Sequence, residues 1–174
     1  MGLVFRDLSK HYGAVIAIKK AEMEIQEGEV RAILGGNGSG KSTLAKILGG
    51  LVGRNSGEIL IDGQAVDFRS PKEAKGHGVI MTSQELSLFT NLTVEESMRM
   101  CTVPKKGIFT DRKKLKEEAR EVLEKMNLAS LMGKKVGELP TNQQYMVELA
   151  KALVQHPKIL IIDEITSALY NEEV

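Results

Sequence analysis

The order of apolar and polar positions divides the chain into a strand-like N-terminal part, a helical middle and a strand-like close. Val4 to Leu8 reads as extended, and Ala21, Met23 and Ile25 alternate with polar neighbours before a turn at Glu27-Gly28-Glu29. The apolar run Val30 to Leu34 is expected to be extended and enters a glycine-rich stretch, Gly35 to Gly40. Leu44, Ile47, Leu48 and Leu51 then recur at helical spacing, so the glycines join a strand to a helix. Ser56-Gly57 turns the chain into a strand over Glu58 to Asp62, which ends at the turn Asp62-Gly63, and Gly78 to Thr82 suits a short buried strand.

From about Leu88 to Leu153 the period becomes helical. Thr93 with Glu96 three residues on makes a capping box at the head of Val94 to Met100. Asp111 to Met126 places Leu115, Ala119, Val122, Leu123 and Met126 on one face, with Glu121 and Lys125 as an i,i+4 pair in the favourable order. A third helix carries Met146, Leu149, Ala150 and Leu153 at core spacing. The unbroken apolar run Ile159 to Ile162, ending in Asp163-Glu164, suits a parallel strand buried on both faces.

With 174 residues, 42% of them hydrophobic, the chain can bury a sizeable core and does not read as disordered. Lys and Arg number 24 against 23 Asp and Glu, so no global field grips a phosphodiester backbone, and no nucleic acid is expected as a partner. The basic residues Lys105, Lys106, Arg112, Lys113, Lys114 and Lys116 form either a docking patch or a solvated helix face, and the interleaved acids favour the second. A single cysteine, Cys101, cannot make an internal disulfide and reads as a small buried hydrophobe. There is no apolar run long enough to span a bilayer, so work at a membrane would need another component as anchor.

Chemistry concentrates at two places. Gly35-Gly36-Asn37-Gly38-Ser39-Gly40-Lys41-Ser42-Thr43 satisfies the phosphate-loop pattern G-x-x-x-x-G-K-[ST]. Its glycines let backbone N–H groups converge on phosphate oxygens, and the following helix adds its positive end. Lys41 offers a point charge to the β and γ phosphates, and Ser42 offers a hydroxyl to Mg²⁺. Far downstream, Asp163 and Glu164 stand at a strand's C-terminal end, where Asp163 would hold Mg²⁺ through water and Glu164 would polarise an attacking water. A solvated strand end would carry the same acids, and it is the pairing with a phosphate loop that strengthens the chemical reading.

Those two segments, together with Thr166-Ser167-Ala168-Leu169, resemble the ATP-binding cassette (ABC) ATPases. Gln84-Glu85-Leu86 and the stretch from Gln143 to Leu153 are most similar to the ATPase subunits of bacterial monosaccharide importers, and the likeness runs from Leu3 to Val174. The resemblance implies an α/β P-loop NTPase fold with a RecA-like parallel core, an N-terminal antiparallel β subdomain and an α-helical subdomain, incomplete at the C-terminus. It implies one truncated cassette over residues 1–174, with the nucleotide-binding core at about 1–87 and 154–174 and the helical subdomain at about 88–153. Tyr12 matches the aromatic that stacks on adenine, although a half-buried strand tyrosine would look the same. Gln84 matches the glutamine that touches Mg²⁺ and the lytic water, for which an amide supplies both donor and acceptor. ATP and Mg²⁺ are thus the expected cofactors, with Glu164, Gln84 and Lys41 as catalytic residues and Ser42, Gln84 and Asp163 around the metal.

The signature segment departs from the family: Leu-Ser-Gly-Gly-Gln is here Leu139-Pro140-Thr141-Asn142-Gln143. Pro140 lacks both the hydroxyl and an N–H donor, so either the contribution to the opposite cassette's site is weakened or the change is tolerated drift. Thr141 and Asn142 could instead cap the following helix. Ile165 and Tyr170 replace the usual proline and aspartate, and none of His11, His77 and His156 matches the family's switch histidine. His156, ahead of Pro157, is expected at the surface. The likeness implies three partners: a second cassette in the same polypeptide or a dimer, integral-membrane transporter subunits, and indirectly a solute-binding protein. It places the chain peripherally at the cytoplasmic face of the inner membrane. Two rival readings are a nucleotide-binding module with little turnover and a soluble cassette ATPase of DNA repair or translation.

Overall fold

The computed structural model describes residues 2–82, 88–100, 105–106, 109–110 and 112–163. It divides into two compact units, 1–80 and 81–174, which are taken in turn.

The first unit is built on a four-stranded antiparallel sheet. β1 (Gly2–Tyr12) and β2 (Val15–Gln26) form a long hairpin in which Tyr12 faces Val15 and Leu3 faces Ile25. β3 (Ser56–Ile61) pairs with the other edge of β1, and β4 (Gln64–Val66) folds back on β3 through the expected Asp62-Gly63 turn, giving the order β2-β1-β3-β4. Leu3, Phe5, Leu8, Ile59 and Ile61 are buried, as alternation along paired strands requires when one sheet face is covered. α1 (Lys41–Leu48) follows the glycine stretch and buries Leu44, Ile47 and Leu48, three of the four positions read from the sequence. Leu51, the fourth, lies beyond the helix and is exposed. α2 (Pro71–Gly76) starts with a proline in its first turn and a Ser70 side chain that accepts from the Glu73 N–H. β5 (Val79–Met81) follows α2.

Val30 to Leu34 differs from expectation. It forms no ladder with any described strand, and Val30 and Leu34 are 97% and 91% exposed. A strand needs a neighbour for its N–H and C=O groups as well as an apolar sequence, and no described segment supplies one.

The second unit is mainly helical: α3 (Val94–Arg99), α4 (Arg112–Lys125) and α5 (Thr141–Leu153), with a two-residue ladder of β6 (Lys105–Lys106) and β7 (Phe109–Thr110). The capping box forms as predicted: Glu96 N–H donates to Thr93 Oγ1 at 3.2 Å, and Thr93 N–H donates to Glu96 Oε2 at 2.9 Å. That donation is the chief reason the Glu96 carboxyl is held below its ordinary range. Glu121 and Lys125 pair at 2.7 Å, and Lys116 reaches Glu95 at 3.3 Å. Cys101 and the side chains of Lys105, Lys106, Arg112, Lys113, Lys114 and Leu115 lie outside the described residues.

Val94, Met98, Leu123, Val136, Leu139, Val147, Ala150 and Val154 belong to this unit's core. The buried face of α5 therefore runs through Val147 and Ala150. Met146, Leu149 and Leu153, expected in the core, are only partly buried. A backbone ladder ties the approach to α3 to the turn before α5: Val94 N–H donates to Lys134 O, Val136 N–H to Leu92 O and Gly137 N–H to Thr90 O, all within 3.0 Å. β8 (Ile159–Ile161) accepts an N–H from Thr82 at Ile161 O, 2.9 Å away. Its residues are of intermediate burial and Ile162 is 51% exposed, so the strand is not sealed on both faces among the described residues.

Candidate functional site

The residues of the phosphate-loop motif are the ones the structure brings together. Gly35 to Gly40 form a turn, with Ser39 N–H donating to Gly36 O at 3.2 Å. Gly40 ends it at φ 92°, ψ 3° and opens α1, whose Leu44 N–H donates to Gly40 O at 2.8 Å. One of the glycines is required by space: a Cβ at Gly40 would lie 2.5 Å from the Ala17 carbonyl oxygen of β2, whereas one at Gly35 would meet the Ser39 hydroxyl at 2.7 Å, a side chain that can rotate away. The loop is thus pressed against the hairpin so tightly that only backbone fits.

The electrostatics of the loop favour an anion. Gly40 offers no capping side chain, and the first turn of α1 contains no acid, so the positive end of the helix is uncompensated from within. Lys41 folds back across the loop and donates from Nζ to Gly35 O at 2.7 Å and to Gly36 O at 2.9 Å. Ser42 and Thr43 occupy the same first turn. A cleft of about 290 Å³ runs along the loop between Ala17 to Ala21 of β2 and Ile33 to Gly35. Lys20 lines it, but its ammonium is committed to Asp7 and Glu22, each 2.7 Å away. Hydrogen bonding to Asp7, and then to Glu22, raises its pKa beyond the usual lysine range. Lys41 holds only neutral carbonyl oxygens in these contacts, which an anion can displace.

Tyr12 stands at the end of β1, 47% exposed, opposite Val15 and beside Ile16, each 66% exposed. Sequence reasoning missed two neighbours. Ala17 is the wall against which Gly40 rests, and Lys10 holds its Nζ 4.9 Å from the centroid of the Tyr12 ring. The placement of Lys10 two residues before Tyr12 on one strand was the signal available.

The remaining candidates belong to the second unit. Asp163 follows β8 and is partly buried. Gln84, Glu164, Ile165, Thr166 to Leu169 and Tyr170 lie outside the described residues. In the signature segment, Leu139 is buried and Pro140 is the N-cap of α5, with no side-chain cap. Thr141 is therefore the first helical residue rather than the cap. Asn142 Oδ1 accepts from Gln143 N–H at 2.6 Å, and Gln144 Nε2 donates to Leu139 O at 2.8 Å. Gln143 is the third residue of that helix. His156 is exposed, as expected, in a left-handed conformation at φ 50°. No described helix is long and apolar enough to cross a membrane.

Comparison with known proteins adds a family. The sequence model of the ABC transporter family matches residues 18–167. The ribose import ATP-binding protein of Mesorhizobium japonicum is 42% identical over 168 residues, which cover 96% of this chain and 33% of that protein. The galactose/methyl galactoside import ATP-binding protein of Clostridium perfringens is 39% identical over 172 residues, covering 99% and 33%. The chain thus spans about a third of the length of these curated relatives. Among solved structures, a dimeric post-hydrolysis ATP-binding cassette bound to ADP and phosphate superposes with a TM-score of 0.80 at 26% identity, over 98% of this chain and 77% of that one.

Proposed function

The chain belongs to the ABC transporter family, and from that premise we propose that it binds ATP through residues 35–43 and serves as a cassette that drives monosaccharide import. The observation that carries the reading is the Gly40 junction. A backbone-only contact with Ala17, an uncapped helix start and the Lys41 ammonium converge on one loop. The names of the ribose and galactose import relatives support the choice of transport over a soluble role.

In this reading the loop N–H groups and Lys41 hold the β and γ phosphates, and Tyr12 receives the base. Ser42 and Asp163 present hard oxygen donors that suit Mg²⁺, which when bound neutralises phosphate charge. Glu164 accepts a proton from water as it attacks the γ-phosphorus in line, the bond from that phosphorus to the β,γ-bridging oxygen breaks with its electron pair leaving on ADP, and Gln84 orients the water. Residues about 88–153 form the subdomain that faces the membrane subunits, and the segment Leu139 to Gln143 faces the nucleotide of a second cassette. The test is turnover in the assembled transporter. Glu164→Gln should retain ATP and lose about 10²- to 10⁴-fold in hydrolysis. Hydrolysis at the unsubstituted rate would remove Glu164 from the mechanism.

A second reading, a nucleotide-binding module with little turnover, is favoured by one observation: the N-cap of α5 is Pro140, with neither a hydroxyl nor an N–H donor at that position. If it is correct, restoring Ser-Gly-Gly at Pro140 to Asn142 raises turnover in the assembled dimer. Unchanged turnover would assign the substitution to drift.

A further inference from the structure

We propose that Lys10 is a positioning residue for the nucleobase, covering one face of the Tyr12 ring so that the base stacks on the other. The inference rests on the reading that Tyr12 receives the base. Lys10 and Tyr12 are two apart on β1, and the ammonium lies 4.9 Å from the ring centroid, within the range of a cation–π contact. The ladder places Lys10 opposite Ile18 and Tyr12 opposite Val15. Between those partners lies Ala17, whose carbonyl abuts Gly40. Four consecutive residues of β2 therefore connect the aromatic ring, its cation and the phosphate loop.

Two effects follow. The ammonium of Lys10 occupies one face, so a base has a single surface on which to stack, and Tyr12 as a whole is 47% exposed. The cation also draws ring π density toward itself, which makes the opposite face a better partner for an electron-rich purine. The resident cation thus orders the ring before the base arrives, lowering the entropic cost of stacking.

The experiment is calorimetric titration of the full chain with ATP and, separately, with inorganic tripolyphosphate. Lys10→Ala should weaken ATP about threefold and leave tripolyphosphate unchanged, Lys10→Arg should restore ATP affinity, and in a Tyr12→Ala background Lys10→Ala should have no effect. An equal loss for both ligands would make Lys10 a general anion attractant and overturn the proposal. So would a loss that arginine does not rescue, or unchanged ATP affinity in Lys10→Ala while Tyr12→Ala weakens binding. If Tyr12→Ala itself leaves ATP affinity unchanged, the base-stacking role of Tyr12 fails first and the proposal falls with it.

Discussion

Replacing Gly40 with alanine tests the junction on which the site is built. The residue sits at φ 92°, ψ 3°, and the new Cβ would lie 2.5 Å from the Ala17 carbonyl oxygen and 3.2 Å from Ile18 Cγ1. A side chain at positive φ costs roughly 1–2 kcal/mol. The contact with Ala17 adds more, because its carbonyl belongs to the body of a paired strand and cannot swing aside as a flexible side chain would. A total of about 3 kcal/mol corresponds to a fall of roughly 6–12 °C in melting temperature for a chain of this size. Gly36→Ala is the matched control, since Gly36 is not at positive φ and a Cβ there meets nothing within 4 Å. Its expected change is zero or a small gain from a less flexible unfolded chain. Thermal melting of the two variants decides the matter, and equal melting temperatures would refute the close approach of loop and hairpin.

Two further predictions concern the helical unit. Ser97 is 1% exposed and its hydroxyl has no hydrogen-bond partner among the described residues, so Ser97→Ala should raise stability by about 0.5–1 kcal/mol in urea denaturation, and a loss would reveal a partner for that hydroxyl. Glu96 has a depressed carboxyl pKa, so its contribution is fully present above the ordinary value of 4.5 and is lost as pH falls through the lower folded value. The melting-temperature advantage over Glu96→Gln should therefore be constant near neutrality and shrink in acid, whereas an advantage that persists at low pH would contradict the capping-box assignment.

Features encoded in a few neighbouring residues were legible in the sequence. The phosphate loop needs only nine consecutive residues, and the Thr93 to Glu96 box only four, so each carries its own geometry. Features set by distant neighbours were not. Val30 to Leu34 has the composition of a strand, but pairing depends on what lies alongside it. On α5, Met146, Val147, Leu149, Ala150, Ala152 and Leu153 cover so wide an arc that periodicity cannot choose the core-facing side, and packing selects Val147 and Ala150. Lys10 escaped notice because lysine and tyrosine two apart on a strand usually mean no more than a solvated face. Departures at Pro140 and Thr141 were visible from the sequence, but which of them caps the helix is a matter of backbone geometry.

The central claim is that Lys41 and its loop hold the phosphates of ATP. Its most direct test is calorimetric titration with ATP and Mg²⁺ of the unsubstituted chain and of Lys41→Ala. Among the described residues, the Lys41 ammonium donates to the carbonyl oxygens of Gly35 and Gly36, so removing it should leave the melting temperature nearly unchanged. Loss of one charge-assisted contact to phosphate predicts ATP affinity lower by roughly 10- to 150-fold. Equal affinity in the two proteins, with the fold intact in both, would contradict the assignment of residues 35–43 as the nucleotide site.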